Sequence, residues 1–278
     1  MDDLAVERHG TVTVLRIDRA DRHNSIGGAL LGELADAFED AERDDDVHVV
    51  VTTGSGPTFC VGVDLAELAS GLASGAPTYE LLTGTTIGGD KGLPEQSKRQ
   101  RMVEQLGVGR WAQRMAACTK PSIAALNGPA AGGGLAIAVT HDFRVCSSRA
   151  SLKAGFAGVG VAPEMGLTWL LPRLVGWRAA RDVLLRNRTI RAAEALDLGL
   201  VDEVVAPEEV LPRALQLAEE LAAMPATAQR LTKRLLAEAA DNPFDAQLAA
   251  EYRAQLLLFG LPETRAALAA LAEQVTGG

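Results

Sequence analysis

The chain has 278 residues, enough for one large domain or two small ones around a substantial core. Hydrophobic residues make up 47% and charged ones 23%, and a formal net charge of −9 argues against nucleic acid or an anionic membrane as a partner. Cys60, Cys118 and Cys146 are scattered, odd in number and without a CxxC, which signals neither a disulfide framework nor a zinc site.

The opening stretch, MDDLAVERHG, is acidic and lacks an apolar signal core, and no apolar run is long enough to span a bilayer. The expected location is cytoplasmic. TVTVLRI (11–17) alternates as a half-buried strand should. Arg22, His23 and Asn24 follow it, in what reads either as a solvated loop or as a ligand-contacting one. In 29–46, Leu30, Leu34 and Phe38 stand four apart, the stripe of an amphipathic helix. VHVVVTTG (47–54) reads as a buried strand ending in a glycine breaker. PTFCVGVDL (57–65) then reads as a strand-to-helix turn, with Gly62 between two apolar residues.

Residues 70–98 break the rhythm with glycines, prolines, serines and threonines and no clean period. They read as a surface segment over a cleft, or as a mobile loop. PSIAALNG (121–128) and FRVCS (143–147) are short strands on either side of GPAAGGGLAIA (128–138). Strand and helix alternate, which argues for an α/β fold. After about residue 165 the pattern turns helical, with LVDEVV (200–205) a short strand inside it, and the tail reads as a second lobe or an arm on a neighbouring subunit.

Gly132, Gly133 and Gly134 are the strongest chemical signal. A glycine loop feeding a helix presents free backbone N–H groups and the positive end of the helix dipole, which stabilise a phosphate or a developing oxyanion. The plain alternative is close packing of the helix on a neighbour. The spacing fits neither GxGxxG nor GxxxxGK[ST]. His9, His23, His48 and His141 show no metal or triad spacing, and no GxSxG accompanies them. No resident metal is therefore expected.

TFCVGVDL, the segment KPSIAALNGPAAGGGLAIAVTHDFRVCS (120–147) and LVGWRAARDVLLRNRTIRAAEALDLGLVDEVV (174–205) together resemble the ordered motifs of the crotonase superfamily, the enoyl-CoA hydratase/isomerase fold. The resemblance runs from about residue 10 to about residue 240. It implies an α/β spiral of ββα units over 1–205 and a helical C-terminal region, 206–278, used in assembly as a trimer or a pair of trimers. It also implies an acyl-CoA ligand, with coenzyme A part of the substrate and no separate cofactor. By position the oxyanion-hole donors are the backbone N–H groups of Val61 and Gly133. Cys60, Gly62, Asp64, Leu65, Gly132 and Phe156 fall beside the substrate in this scheme, and Arg22, His23 and Asn24 fall where the family contacts the nucleotide part of coenzyme A. Asp64 and Asp142 also have a structural reading, as turn caps or partners of arginines.

The pattern departs from the family's hydratases at two carboxylates. The position two residues after the three glycines is Ala136, and the position in the next strand's loop aligns with Phe156. Hydration needs one group to deprotonate water and another to protonate carbon, and neither residue can do so. Glu164 remains. Its segment, PEMGLTWLLPR, resembles the "PD-x-G-G-T-W-L-L-P-R" of ring-modifying acyl-CoA isomerases, with Glu for Asp and Leu167 for a glycine. Next to Pro163 it also reads as an ordinary helix-start acid. Met165, Leu167 and Trp169 are the expected apolar surround that lifts its pKa. Double-bond isomerisation through Glu164 is the preferred expectation. A hydratase or hydrolase using a residue of the 70–98 segment, Glu80 nearest, and a non-catalytic acyl-CoA-binding protein are the alternatives.

Overall fold

The computed structural model describes residues 3–27, 29–74 and 108–276. Two strands open it, β1 (Leu4–His9) and β2 (Val12–Ile17), paired antiparallel across a turn in which Gly10 adopts φ +58°. Then follow α1 (Leu30–Arg43), β3 (Val49–Gly54), α2 (Leu65–Ala73), α3 (Val108–Ala117) and β4 (Ser122–Leu126). Next come β5 (Ala130–Ala131), α4 (Gly133–Thr140), β6 (Phe143–Ser147), β7 (Ser151–Lys153) and α5 (Leu167–Arg186), the last broken at Gly176. After β8 (Thr189–Arg191), α6 (Ala192–Asp197) and β9 (Glu203–Val205), the chain ends in α7 (Val210–Ala222), α8 (Ala226–Glu238), α9 (Phe244–Gly260) and α10 (Pro262–Thr276).

The larger sheet has the order β1-β2-β3-β4-β6-β9, parallel from β2 onward, and the smaller one the order β5-β7-β8. The chain visits them in turn: β4, β5, α4, then β6, β7, α5. That is the ββα spiral. Period-two alternation divides each central strand between two cores. Val12, Val14, Val49, Val51, Ile123 and Ala125 meet Val210, Ala214 and Ala218 of α7. Leu15, Ile17, Val50, Ala124 and Leu126 lie in the other core, with Leu30, Leu34 and Phe38 of α1. Phe38 also stands edge-on to Trp111 of α3, with ring centroids 5.5 Å apart.

Several elements differ from the sequence reading. β1 carries Glu7, Arg8 and His9 at its end, so its alternation is weak and only its pairing with β2 reveals it. β5, β7 and β8 are each two or three residues long, too short for a periodic signal. The segment from residue 70 begins inside α2, and the rest of it, residues 75–98 with Glu80, lies outside the described residues. By its packing α7 belongs with the sheet rather than with a separate tail, because it covers the whole face described above. No described helix is long and apolar enough to cross a membrane.

Candidate active site

The site is built where two loops run side by side. After β3, the N–H groups of Phe59 and Cys60 both reach the carbonyl of Pro129 at 3.2 Å, and Ala131 N–H reaches the Cys60 carbonyl at 3.0 Å. Cys60 and Ala130 thus form a parallel bridge. Two asparagines, buried Asn24 and half-buried Asn127, brace the first loop. Asn24 donates to the carbonyls of Ser55 and Thr58, and Asn127 donates to those of Gly56 and Thr58. Both chains then turn sharply, at Gly62 (φ +84°) and Gly132 (φ +54°).

A Cβ on Gly62 would stand 2.7 Å from the Ala131 carbonyl and 3.0 Å from the Gly133 nitrogen. The turn at Gly62 therefore passes directly beside the Gly133 amide. Gly133 opens α4, so its N–H has no partner one turn earlier. Neither the Val61 amide nor the Gly133 amide donates to another group among the described residues. The three glycines prove to have three reasons. Gly132 takes a left-handed φ; a Cβ on Gly133 would meet the Ile26 side chain at 2.6 Å; a Cβ on Gly134 would meet the Cys60 carbonyl at 2.0 Å. Backbone conformation accounts for Gly132, and close packing accounts for Gly133 and Gly134.

Glu164 lies in the turn before α5, where the N–H of Leu167 reaches the Glu164 carbonyl at 3.1 Å. Both residues between them have positive φ, Met165 at +55° and Gly166 at +77°, the pattern of a type I′ turn. Glycine adopts this freely. For Met165 the left-handed backbone costs about 1–2 kcal/mol. The Glu164 side chain is half-buried and has no hydrogen bond or ion pair among the described residues. Burial holds its carboxyl above the ordinary value. Met165 is buried, and its sulfur lies 3.4 Å from the position of a Gly133 Cβ, so the turn that carries Glu164 abuts the glycine loop.

The apolar surround is partly as expected. Met165 and Leu167 are buried, while Trp169 is 46% exposed and stacks under the Arg173 guanidinium at 3.7 Å. Trp169 is thus corrected from surround to surface, since its ring is taken up by Arg173 and nearly half of the residue is exposed. Ala136 and Phe156 are buried in the same core cluster as Met165, with Ile26 packed against it.

The other predicted residues divide. Arg22, Val61, Asp64 and Leu65 line one open groove of about 770 Å³. Within it Asp64 caps α2 through the N–H groups of Ala66 and Glu67 and pairs with Arg22 at 3.2 Å. The Glu67 N–H, with Ser25 and Arg22, holds its carboxyl below the usual range. His23 is exposed beside the groove, with φ +53°. Asn24 is a correction: it is wholly buried, and its amide is committed to the backbone of Arg19, Ser55 and Thr58. Cys60 is another, because its thiol is buried and burial pushes it up to about 12, leaving a packing group. Asp142 accepts from Ser122 N–H and Oγ and pairs with Lys233 rather than with an arginine. Sequence reasoning missed Asn127 and Ile26. The polar Asn127 closing an apolar strand was the one signal available for the former. Among the described residues no group of three or more His, Cys, Asp or Glu side chains is placed to hold a metal ion.

A ββα spiral in which a glycine loop opens a buried helix is the architecture of the crotonase class of acyl-CoA enzymes. The chain matches the sequence profile of the enoyl-CoA hydratase/isomerase family over residues 7–82 and 86–276, and it belongs to that family. It is 32% identical over 242 residues to a 4-chlorobenzoyl coenzyme A dehalogenase of Arthrobacter sp, covering 87% of this chain and 80% of that one. It is 31% identical over 237 residues to the 1,2-epoxyphenylacetyl-CoA isomerase of Escherichia coli K12, covering 85% and 82%. The crystal structure of an enoyl-CoA hydratase from Bacillus anthracis matches with a TM-score of 0.82 and 27% identity, over 98% of this chain and 97% of that one.

Proposed function

We propose that this acyl-CoA enzyme moves a double bond in an unsaturated acyl-CoA, with Glu164 as the proton carrier and the N–H groups of Val61 and Gly133 holding the thioester oxygen. The observation that supports this most is Glu164 itself: a half-buried carboxylate without a partner among the described residues, on a turn that packs against Gly133. The carboxylate takes a proton from C2 of a 3-enoyl thioester. The electron pair passes into the carbonyl as an enolate, which two amide donors stabilise. Losing one such donor raises the barrier by about 3 kcal/mol. The double bond reforms between C2 and C3 as the same carboxyl returns the proton to C4. One acid serves both steps, which suits a site with Ala136 and Phe156 at the other two positions. A raised pKa makes the carboxylate a stronger base and so favours the first step, removal of the C2 proton.

Coenzyme A enters as part of the substrate, and the reaction balances without a resident cofactor or metal. We infer that its nucleotide end enters the groove lined by Arg22 and Ser25, with exposed His23 next in sequence. The C-terminal helices expose Phe244, Leu248, Tyr252, Leu256, Phe259 and Leu271, and we infer that copies of the chain cover them in a trimer or hexamer. Light scattering of the purified protein tests this, and a monomer at micromolar concentration refutes it.

The test of activity is conversion of a 3-enoyl-CoA to its 2-enoyl isomer, followed by absorbance and mass spectrometry, beside Glu164→Gln. Turnover abolished in the variant is the expected result. Because the ionised form is the base, kcat/KM rises with pH through an apparent pKa above the usual carboxylate value of 4.5. Water addition to a 2-enoyl-CoA, indifferent to Glu164, overturns the proposal. That hydratase reading has one observation in its favour, the hydratase name of relatives such as the Bacillus protein.

A further inference from the structure

The thioester site has an apolar wall that the sequence does not announce. The Cβ direction of Gly133 is filled by two side chains from distant parts of the chain, Ile26 Cδ1 and Met165 Sδ, at 2.6 and 3.4 Å from the position a Cβ would take. Both are held from behind. Ile26 donates its N–H to the Gly62 carbonyl at 2.7 Å and accepts from Asp64 N–H at 2.9 Å, so its backbone is clamped on both sides of the Gly62 turn. Met165 is 4% exposed and sits in a left-handed conformation that suits glycine or asparagine better than methionine. A large apolar side chain is thus kept at a backbone position that disfavours it, next to the amide that meets the substrate.

We propose that Ile26 and Met165 are specificity-determining residues that restrict the enzyme to acyl thioesters unbranched at C2. This rests on the reading that Gly133 N–H holds a thioester oxygen. A carbonyl at that amide places C2 within reach of the same wall. A planar or straight C2 lies against it, while a methyl branch there competes for space already filled by the Ile26 and Met165 tips. Rigid, well-packed walls reject one extra methyl group by about tenfold or more. Phe156 and Ala136 belong to the same core cluster as Met165, with Ile26 packed against it.

The test uses binding of saturated ligands, which do not turn over. Calorimetry compares butanoyl-CoA with 2-methylpropanoyl-CoA on wild type, Met165→Gly and Ile26→Val. The expected result is about a tenfold preference for the straight chain in wild type. Met165→Gly, which suits the left-handed backbone, brings the two within about threefold, and Ile26→Val moves them the same way by a smaller step. Equal binding of both ligands by wild type overturns the proposal, as does a preference unchanged in both variants. Either of those failures leaves the isomerase reading standing. Loss of isomerisation in Glu164→Gln with the preference retained supports both. If wild type binds neither ligand, the acyl-CoA reading of the site falls and the wall's role falls with it.

Discussion

Replacing Gly134 by alanine acts on the site through the backbone alone. The new Cβ would stand 2.0 Å from the Cys60 carbonyl oxygen and 2.6 Å from its carbon, and both belong to main chain that cannot rotate away. Reaching an ordinary 3.4 Å contact moves the 59–62 loop and the head of α4 apart by about 1.4 Å. The proposed pairing of the Val61 and Gly133 amides on one oxygen requires their spacing to hold on that scale. A misplacement of about 1 Å in a reacting geometry costs on the order of a hundredfold in rate. Overpacking adds a stability loss of about 1–3 kcal/mol. The assay is kcat/KM on the 3-enoyl-CoA beside urea denaturation. Gly132→Ala is the control: a Cβ there has nothing closer than 3.8 Å, so it carries only the backbone cost of a positive-φ conformation outside the left-handed helical region (φ +54°, ψ −123°), about 1–3 kcal/mol. Gly134→Ala is therefore expected to lose about a hundredfold in rate, and Gly132→Ala to lose stability with less effect on rate. Equal rates in the two variants, or a Gly134→Ala protein with wild-type activity, would refute this account of the loop.

Two further predictions concern stability. His141 is buried against Thr52 Oγ1 and the Ile137 carbonyl, and burial pushes its pKa down to about 4. The unfolded chain binds a proton near pH 6.5 that the native state refuses, so stability falls as pH drops from 6.5 towards 4, by about 1.4 kcal/mol per unit from this group. Urea titrations of wild type and His141→Gln check it, and identical pH slopes between 4 and 6.5 would exclude it. Arg230 of α8 donates to Glu42 and Thr119, both at 2.8 Å, tying the C-terminal helices to α1. Burial raises the Glu42 carboxyl, but hydrogen bonds from Thr119 and Arg230 outweigh it and the net pKa is lowered. Arg230→Ala should lose about 1–3 kcal/mol at neutral pH. The difference from wild type shrinks as pH falls below the unfolded carboxyl value of 4.5. A pH-independent difference would point to lost packing instead.

The sheet was legible because its central strands write their burial into the residues: Val49–Val51 is apolar on both faces, and both faces are covered. α1 was legible for the same reason, its apolar stripe standing at helical spacing. Short strands such as β7 and β8 were not, since three residues carry no period and are held by their neighbours across the small sheet. At the site, the glycine run and Glu164 stood out by residue type. Asn24 was misread because an amide beside an arginine and a histidine looks like a ligand contact, whereas its hydrogen bonds go to carbonyls more than thirty residues away.

What the sequence by itself determined is the alternation of strand and helix, the motifs of the family, and which acids remain when Ala136 and Phe156 occupy the other positions. What only the tertiary structure decided is which backbone amides stay open, why each of three glycines is needed, and that Ile26 and Met165 meet at Gly133. The reason is physical. Side-chain identity fixes local preference and burial, but an N–H is free or paired according to what the topology brings beside it, and residues 26, 62, 133 and 165 become neighbours only once the spiral closes.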